Sequence, residues 1–271
     1  MRGYSVDVEF TWGFQARVAG LGKSPPSFLF PPPTTLVGAL AASYSRRVKR
    51  GESEGVELML ELSRHILALS FRPLNARPLA FMDVGRVIAP GQRGGVYYPT
   101  VRDVFVYKSF DAPARGSTIM GSIDNEPPRI RYVLVVEDDG PFTQEDLWSI
   151  RRLGSKESLV SVVRVEEIPV FELGGSMREE RRTLYATPEV EGLRVKKHEP
   201  VARELYVSPY RLNYPPSAAY VQGVGILSYL IPMRLEYAEG YLEVSGAPSG
   251  YSFYEVEDLE KGRNVVVGVA R

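Results

Sequence analysis

Phe30-Pro31-Pro32-Pro33-Thr34-Thr35-Leu36-Val37-Gly38-Ala39-Leu40 decides how this chain of 271 residues is read. Three successive prolines fix φ, remove N–H donors and bias each preceding residue away from the α region. The chain therefore enters the segment extended. Thr34 then stands where a helix cap belongs, its hydroxyl able to satisfy a first-turn N–H. Leu36, Val37, Leu40, Tyr44 and Val48 recur at helical spacing, and Gly51 sits at a natural C-terminal stop. Gly38 costs about 1 kcal/mol relative to alanine in a helix interior, so a close neighbour of that backbone is expected.

Upstream, every even position from Val6 to Val18 is apolar or small, while the odd positions are Asp7, Glu9, Thr11, Gly13, Gln15 and Arg17. Strict period two predicts a strand with one buried face. Its other face is polar and lacks the aromatics on which an RRM stacks bases. Downstream, a second helix is expected over 54–65, with Val56, Met59, Leu60 and Ile66 in phase, followed by a strand over 66–71. Arg131–Glu137 reads as a β-branched strand. Thr143-Gln144-Glu145-Asp146 matches a capping-box start for a helix reaching Leu153, stopped by Gly154, and Leu159–Glu167 is the next strand. Two strand–helix–strand runs compose a β-α-β-β-α-β, ferredoxin-like arrangement.

The segment from about 74 to 128 holds no helical period and many Pro and Gly residues. A structureless loop of that length is anomalous, so a projecting β-hairpin is expected, biased positive by Arg86, Arg93, Arg102, Lys108 and Arg115. From Val170 the pattern is short strands with ten of the sixteen tyrosines and no helix. The fold class is thus α+β: a domain over 1–169 with the hairpin inserted at about 74–128, then a β-rich unit over 170–271.

Composition sets limits. Hydrophobic residues make up 44% and charged residues 24%, as expected of a globular protein with a core. No run of eighteen apolar residues and no signal peptide is present, so a cytoplasmic location is expected, with no membrane partner. Cysteine is absent, which excludes disulfides and thiolate chemistry; with only His65 and His198 as imidazoles, neither a metal site nor a cofactor is expected. Abundant Arg and Glu beside scarce Asn and Gln hint at a thermophilic source. Net charge is zero, unlike many free-standing nucleic-acid binders. Basic residues nevertheless cluster at Arg46, Arg47, Lys49 and Arg50, at Arg151, Arg152 and Lys156, and at Arg194, Lys196 and Lys197; a solvated face is the plain alternative for each.

The first strand followed by F-P-P-P-T-T-L-V-G-A-L-A resembles the N-terminus of the CRISPR-associated Cas-five family. That family belongs to the RAMP superfamily, built on ferredoxin-like (RRM-related) domains. The likeness covers the first fifty residues well, the loop near 154 fairly and the last hundred residues hardly at all. It implies an archaeal-type subunit of a type I CRISPR surveillance complex (Cascade), serving antiviral defence. Such a subunit caps the 5′ handle of CRISPR RNA beside a backbone RAMP subunit and the large subunit.

The residues offer several points of contact with RNA. Gly154-Ser155-Lys156-Glu157-Ser158 is a small-residue loop whose backbone N–H groups can face an anion, with a charge from Lys156; the resemblance implies that a glycine-rich loop here touches RNA. An ordinary helix stop is the alternative. Gly20-Leu21-Gly22-Lys23-Ser24 fails as a P-loop, because no glycine stands at the first glycine position and Pro25-Pro26 forbid the following helix. As a basic loop, it offers Arg17, Lys23 and Ser24 to a phosphate. Gly38 and Arg46 on the first helix, and Arg102 and Lys108 in the hairpin, complete the expected RNA-binding set. Gly223-Val224-Gly225 reads as a strand bulge or bend.

One branch of the same family trims CRISPR RNA precursors with a Tyr, Lys and His set, without metal. Here that set would be Tyr44, Lys108 and His198. No histidine follows Lys108, however, and Tyr44 is in phase with the buried helix face, so no catalytic residues are expected. A metal-independent endoribonuclease and an unrelated stand-alone RRM-like RNA binder remain as alternatives.

Overall fold

The computed structural model describes the backbone of residues 1–17, 25–84, 87–89, 91–93, 96–98, 109–111 and 114–271, and the side chains of these except 52 and 83–115. At its centre lie four strands: β1 (Arg2–Phe10), β2 (Ile66–Pro73), β3 (Arg129–Val136) and β4 (Val160–Ile168). They pair antiparallel throughout in the order β4-β1-β3-β2, with Val6 opposite both Tyr132 and Val165, and Leu69 opposite Leu134. Helices α1 (Pro33–Val48) and α2 (Gly55–Leu62) separate β1 from β2, and the short α3 (Gln144–Trp148) separates β3 from β4. The fold is mixed and strand-rich, with several smaller antiparallel sheets around this one.

Both faces of the central sheet are covered. Val6, Val8, Phe10, Phe71, Tyr132, Leu134 and Val136 meet Leu36, Val37, Leu40, Leu58, Leu62 and Leu147 from the helices. Leu67, Ala68, Val133, Val135 and Ile168 instead meet Tyr185, Tyr254, Val256 and Val266. The last three belong to the closing hairpin, Tyr251–Asp258 with Gly262–Val269. It lies so close that a Cβ on Gly268 would fall 2.1 Å from the Leu67 carbonyl oxygen. The expectation of one buried face on β1 is therefore corrected: Ser5 and Asp7, at odd positions, are 1% and 5% exposed. Asp7 is tolerated because Arg131 on β3 binds it with both arms, Nε to Oδ1 at 2.6 Å and Nη2 to Oδ2 at 2.8 Å. Arg131 also reaches Asp258 at 3.2 Å, and Arg72 on β2 lies 3.0 Å from the same carboxylate. The Tyr185 hydroxyl donates to Asp258 as well. This ionic knot fastens the closing hairpin to the sheet.

Other boundaries shift for local reasons. The alternation to Val18 does not make one strand: β1 stops at Phe10, and only Gly13–Phe14 resumes pairing, against Thr118 and Ile119. Helix α1 begins at Pro33, a position whose missing N–H costs nothing. Thr34 is buried and makes no cap. Thr35 instead donates its hydroxyl to the Pro32 carbonyl at 2.7 Å. The helix ends on Lys49 in the left-handed region (φ 58°), two residues ahead of the expected Gly51. On α2, Leu58, Met59 and Leu62 are buried while Val56 is half exposed, so the phase differs from the expected one. Helix α3 stops five residues short of Leu153; its Thr143 N–H donates to Asp146 Oδ2 at 2.9 Å, as a capping box requires.

The chain from Ala76 to Ser122 doubles back on itself. Ala76–Val84 pairs with Ala114–Ser122, Val87–Ala89 with Ser109–Asp111, and Gly91–Arg93 with Val96–Tyr98. Past Val170 the chain is mostly strand, but it contains one helix the alternation gave no sign of, α4 (Pro216–Gln222), opened by Pro215-Pro216. Gly223, at φ 68°, ends that helix and is not a strand bulge. No helix among the described residues is long and apolar enough to cross a membrane.

Candidate nucleic-acid interface

The proline-rich entry is held by a carboxylate from far along the chain. Glu204 accepts the Leu29 N–H at 2.6 Å and the Phe30 N–H at 3.0 Å, the last amides before the three prolines, and also the Tyr206 hydroxyl. Burial pushes the Glu204 carboxyl up, against the pull of the tyrosine hydroxyl and the two amides. The clamp fixes where α1 starts, and thereby which side of α1 faces outward.

That outward side forms a groove of about 710 Å³ with the segment after α3. Its floor is small: Thr35, Gly38, Ala39, Ala42 and Ser45. Its walls carry Arg46, Arg50, Arg151 and Arg152, with Gly55 and Gly154 at the margins. Gly38 meets nothing closer than Met59 Sδ, at 3.8 Å from a built Cβ, so the expected close neighbour is not found among the described residues. Arg46 donates to the Ser149 carbonyl at 2.8 Å and to Ser43 Oγ at 3.1 Å, which bridges the groove's two walls. Arg47 leaves the groove to pair bidentately with Asp146, both contacts at 2.8 Å, and that carboxylate raises its pKa. Arg50 lies 3.5 Å from Glu61. Arg151 and Arg152 are exposed and have no carboxylate partner among the described residues. Unpaired guanidinium groups along a small-residue floor are suited to a polyanion backbone, which needs charge and close approach.

The loop that follows is built differently from its expected form. Gly154 has φ +124°, and a Cβ there would lie 2.8 Å from the Gln15 carbonyl oxygen, so glycine is required by packing. The Ser155 N–H donates to that same carbonyl at 3.0 Å, and its hydroxyl donates to Glu157 at 2.8 Å. The Ser158 N–H turns back to the Ser155 carbonyl. Two of the amides expected to face an anion, those of Ser155 and Ser158, are thus spent on carbonyls of this chain. What the loop presents is Lys156, whose side chain is 82% exposed and 3.9 Å from Glu157.

The structure therefore brings Gly38, Arg46 and Gly154 together in one groove, with Ser155 and Lys156 directly beyond it, and adds Arg50, Arg151 and Arg152. These three stood out in the sequence only as charge clusters. Arg17 is exposed and bridged through its backbone to Ser27, and it does not line the groove. Lys23, Ser24, Arg102 and Lys108 lie outside the described residues. Tyr44 has the Arg47 guanidinium 5.0 Å above its ring, whereas His198 stacks on Tyr241 at 4.0 Å and pairs with Glu243 at 3.1 Å. No contact joins Tyr44 to His198 among the described residues. The one grouping there with metal-ligand spacing is His65, Glu137 and Asp139, a half-buried imidazole–carboxylate pair beside an exposed aspartate in a turn.

No family model matches the chain. It is 26% identical over 239 residues to the CRISPR-associated protein Cas5 2 of Saccharolobus solfataricus, covering 86% of this chain and 83% of that protein. The structure superposes on the crystal structure of a CRISPR protein from Archaeoglobus fulgidus with a TM-score of 0.71 at 34% identity, covering all of both chains. A chain of a Type III-B Cmr-beta complex bound to cognate target RNA and AMPPnP gives a TM-score of only 0.39 at 10% identity, over 88% of this chain and 86% of that one, too loose a likeness to bear on this chain. With full-length correspondence at 34% identity to a CRISPR protein, the chain belongs to the CRISPR-associated proteins, and among them it is similar to Cas5.

Proposed function

We propose that this chain is a non-catalytic RNA-binding subunit of a type I CRISPR surveillance complex. In this reading it caps the 5′ handle of CRISPR RNA and docks beside a backbone RAMP subunit and the large subunit. The observation that carries the reading is the α1 groove, where Arg46, Arg151 and Arg152 line a floor of glycine, alanine and serine. The antiparallel order β4-β1-β3-β2, with helices after the first and third strands, supports a ferredoxin-like RAMP unit over 1–169, followed by a β-rich unit over 170–271. An RRM binds RNA on the open sheet face. Here the closing hairpin fills that face, so the guide is assigned to the helix side. Protein then holds the guide's shape and end while base pairing reads sequence.

Salt dependence tests this. Replacing both Arg151 and Arg152 with alanine is expected to flatten the slope of log affinity for CRISPR repeat RNA against log salt by about 1.4, since each phosphate contact on a single strand contributes about 0.7. Unchanged slope and affinity would remove the groove from RNA binding. In the same preparations, repeat RNA incubated with the wild-type chain in EDTA is expected to stay intact. Site-specific cleavage lost on Tyr44→Phe or His198→Ala would make the protein an endoribonuclease instead.

A further inference from the structure

Leu193–His198 (L-R-V-K-K-H) is one edge of a three-stranded sheet; Tyr241–Gly246 is its centre and Met177–Thr183 its other edge. The register sets His198 opposite Tyr241, Lys196 opposite Glu243 and Arg194 opposite Ser245, with Arg182 opposite Glu243 on the far side. Leu242 and Val244 point inward and are fully buried, so Tyr241, Glu243 and their partners make up the outer face. Three flat groups stack on that face. The Arg182 guanidinium lies 4.4 Å from the Tyr241 ring centroid, and the His198 ring lies 4.0 Å from it at an interplanar angle of 8°. Glu243 sets the imidazole plane from 3.1 Å and is itself held by Lys196 Nζ at 2.9 Å. His198 stands on the edge strand, and among the described residues no ring or guanidinium other than the Tyr241 side meets it. Arg182, Arg194 and Lys197 have no carboxylate partner among the described residues.

We propose that this edge is a second binding site for single-stranded nucleic acid, separate from the α1 groove. A base stacks on the face of His198 turned away from Tyr241 and lengthens the Arg182–Tyr241–His198 column. Arg194, on the same face as His198 and without a carboxylate partner among the described residues, neutralises a phosphate that follows, with Lys196 between them on the strand. Base-on-ring stacking beside a cationic track is how strands are held without sequence preference, and arginine over a tyrosine ring adds a cation–π contribution. Basic side chains on an edge strand also guard against strand pairing. That role alone calls for charge and for no aligned column of rings.

The test uses the full-length chain with twelve-nucleotide oligo-rU and oligo-dT, reading stoichiometry by native mass spectrometry and affinity by anisotropy. Wild-type protein is expected to bind two oligonucleotides and Arg151→Glu/Arg152→Glu one. In that background, His198→Ala is expected to weaken the remaining binding by about tenfold, with His198→Phe restoring it. Arg194→Ala is expected to flatten the salt slope by about 0.7. Preference for rU or dT assigns the site to RNA or DNA. The proposal is overturned if His198→Ala matches its parent or if no oligonucleotide binds in that background. Protection of 193–198 from deuterium exchange in a reconstituted complex, without oligonucleotide binding, would assign the edge to a protein partner and also overturn it. Loss of binding through His198 but not through Arg151 and Arg152 would defeat the groove reading and leave this site standing.

Discussion

Asp258 shows how much one buried charge can hold. Its side chain is fully enclosed, beside Arg72 and Arg131, and the Tyr185 hydroxyl donates to it. Burial pushes its pKa up, but Arg72, the Tyr185 hydroxyl, the Glu260 amide and Arg131 together outweigh burial and hold it below the usual 3.8. A depressed carboxylate stabilises the fold fully above its unfolded value and loses that contribution as pH falls through the native one. Urea midpoints are therefore expected to fall below about pH 4, and Asp258→Asn should narrow the gap between pH 7 and pH 3. At pH 7, Asp258→Ala leaves two buried guanidinium groups under-compensated and should cost about 3–5 kcal/mol. A loss under about 1 kcal/mol would mean that the knot is wetter than its geometry indicates.

Among the elements, α1 carries the clearest local conflict. Lys49 ends it in the left-handed region at φ 58° and ψ 35°, where a β-carbon is strained and glycine is preferred. Lys49→Gly is expected to stabilise the chain by about 0.5–1 kcal/mol, measured by urea unfolding. A loss of stability would show that the lysine makes a contact worth more than the strain. The proline triplet placed the start of α1 to within two residues, Pro33 and not Thr34 opening it, because prolines act through their own covalent geometry. Its end was misplaced because left-handed caps accept other residues at a modest cost. The β1 face was misread for a different reason: Ser5 and Asp7 are polar, and only tertiary packing buries them, in the case of Asp7 against Arg131. The signal lay on the neighbouring strands. Val133 and Val135 alternate with Tyr132, Leu134 and Val136, and Ile66-Leu67-Ala68-Leu69 is apolar throughout, the pattern of strands covered on both sides. Arg151 and Arg152 could be seen in the sequence only as charge. Their place opposite Gly38 depends on α3 stopping at Trp148, which no periodicity over five residues can specify.

At the scale of the whole molecule, the closing hairpin decides which face is open to the RNA of the proposed function. The hairpin lies against Leu67, Ala68, Val133 and Val135, and Gly268 allows backbone to approach β2 with no room for a side chain. Exposing that sheet face would separate the Asp258 knot and the apolar cluster together, so opening it for a ligand is costly. The helix side needs no such rearrangement, since Arg46, Arg151 and Arg152 already stand at an open groove. Photoreactive repeat RNA is therefore expected to crosslink within 35–50 and 151–158, and to leave 66–71, 131–136 and 254–266 unmodified. Gly268→Val forces the hairpin away from Leu67 and should lower the melting temperature sharply. If it unfolds the chain, the crosslink map of the wild type still decides the point. Crosslinks on 66–71 or 131–136 in folded wild-type protein would mean that the hairpin yields its place to RNA, and that the open-sheet mode of an RRM operates here after all.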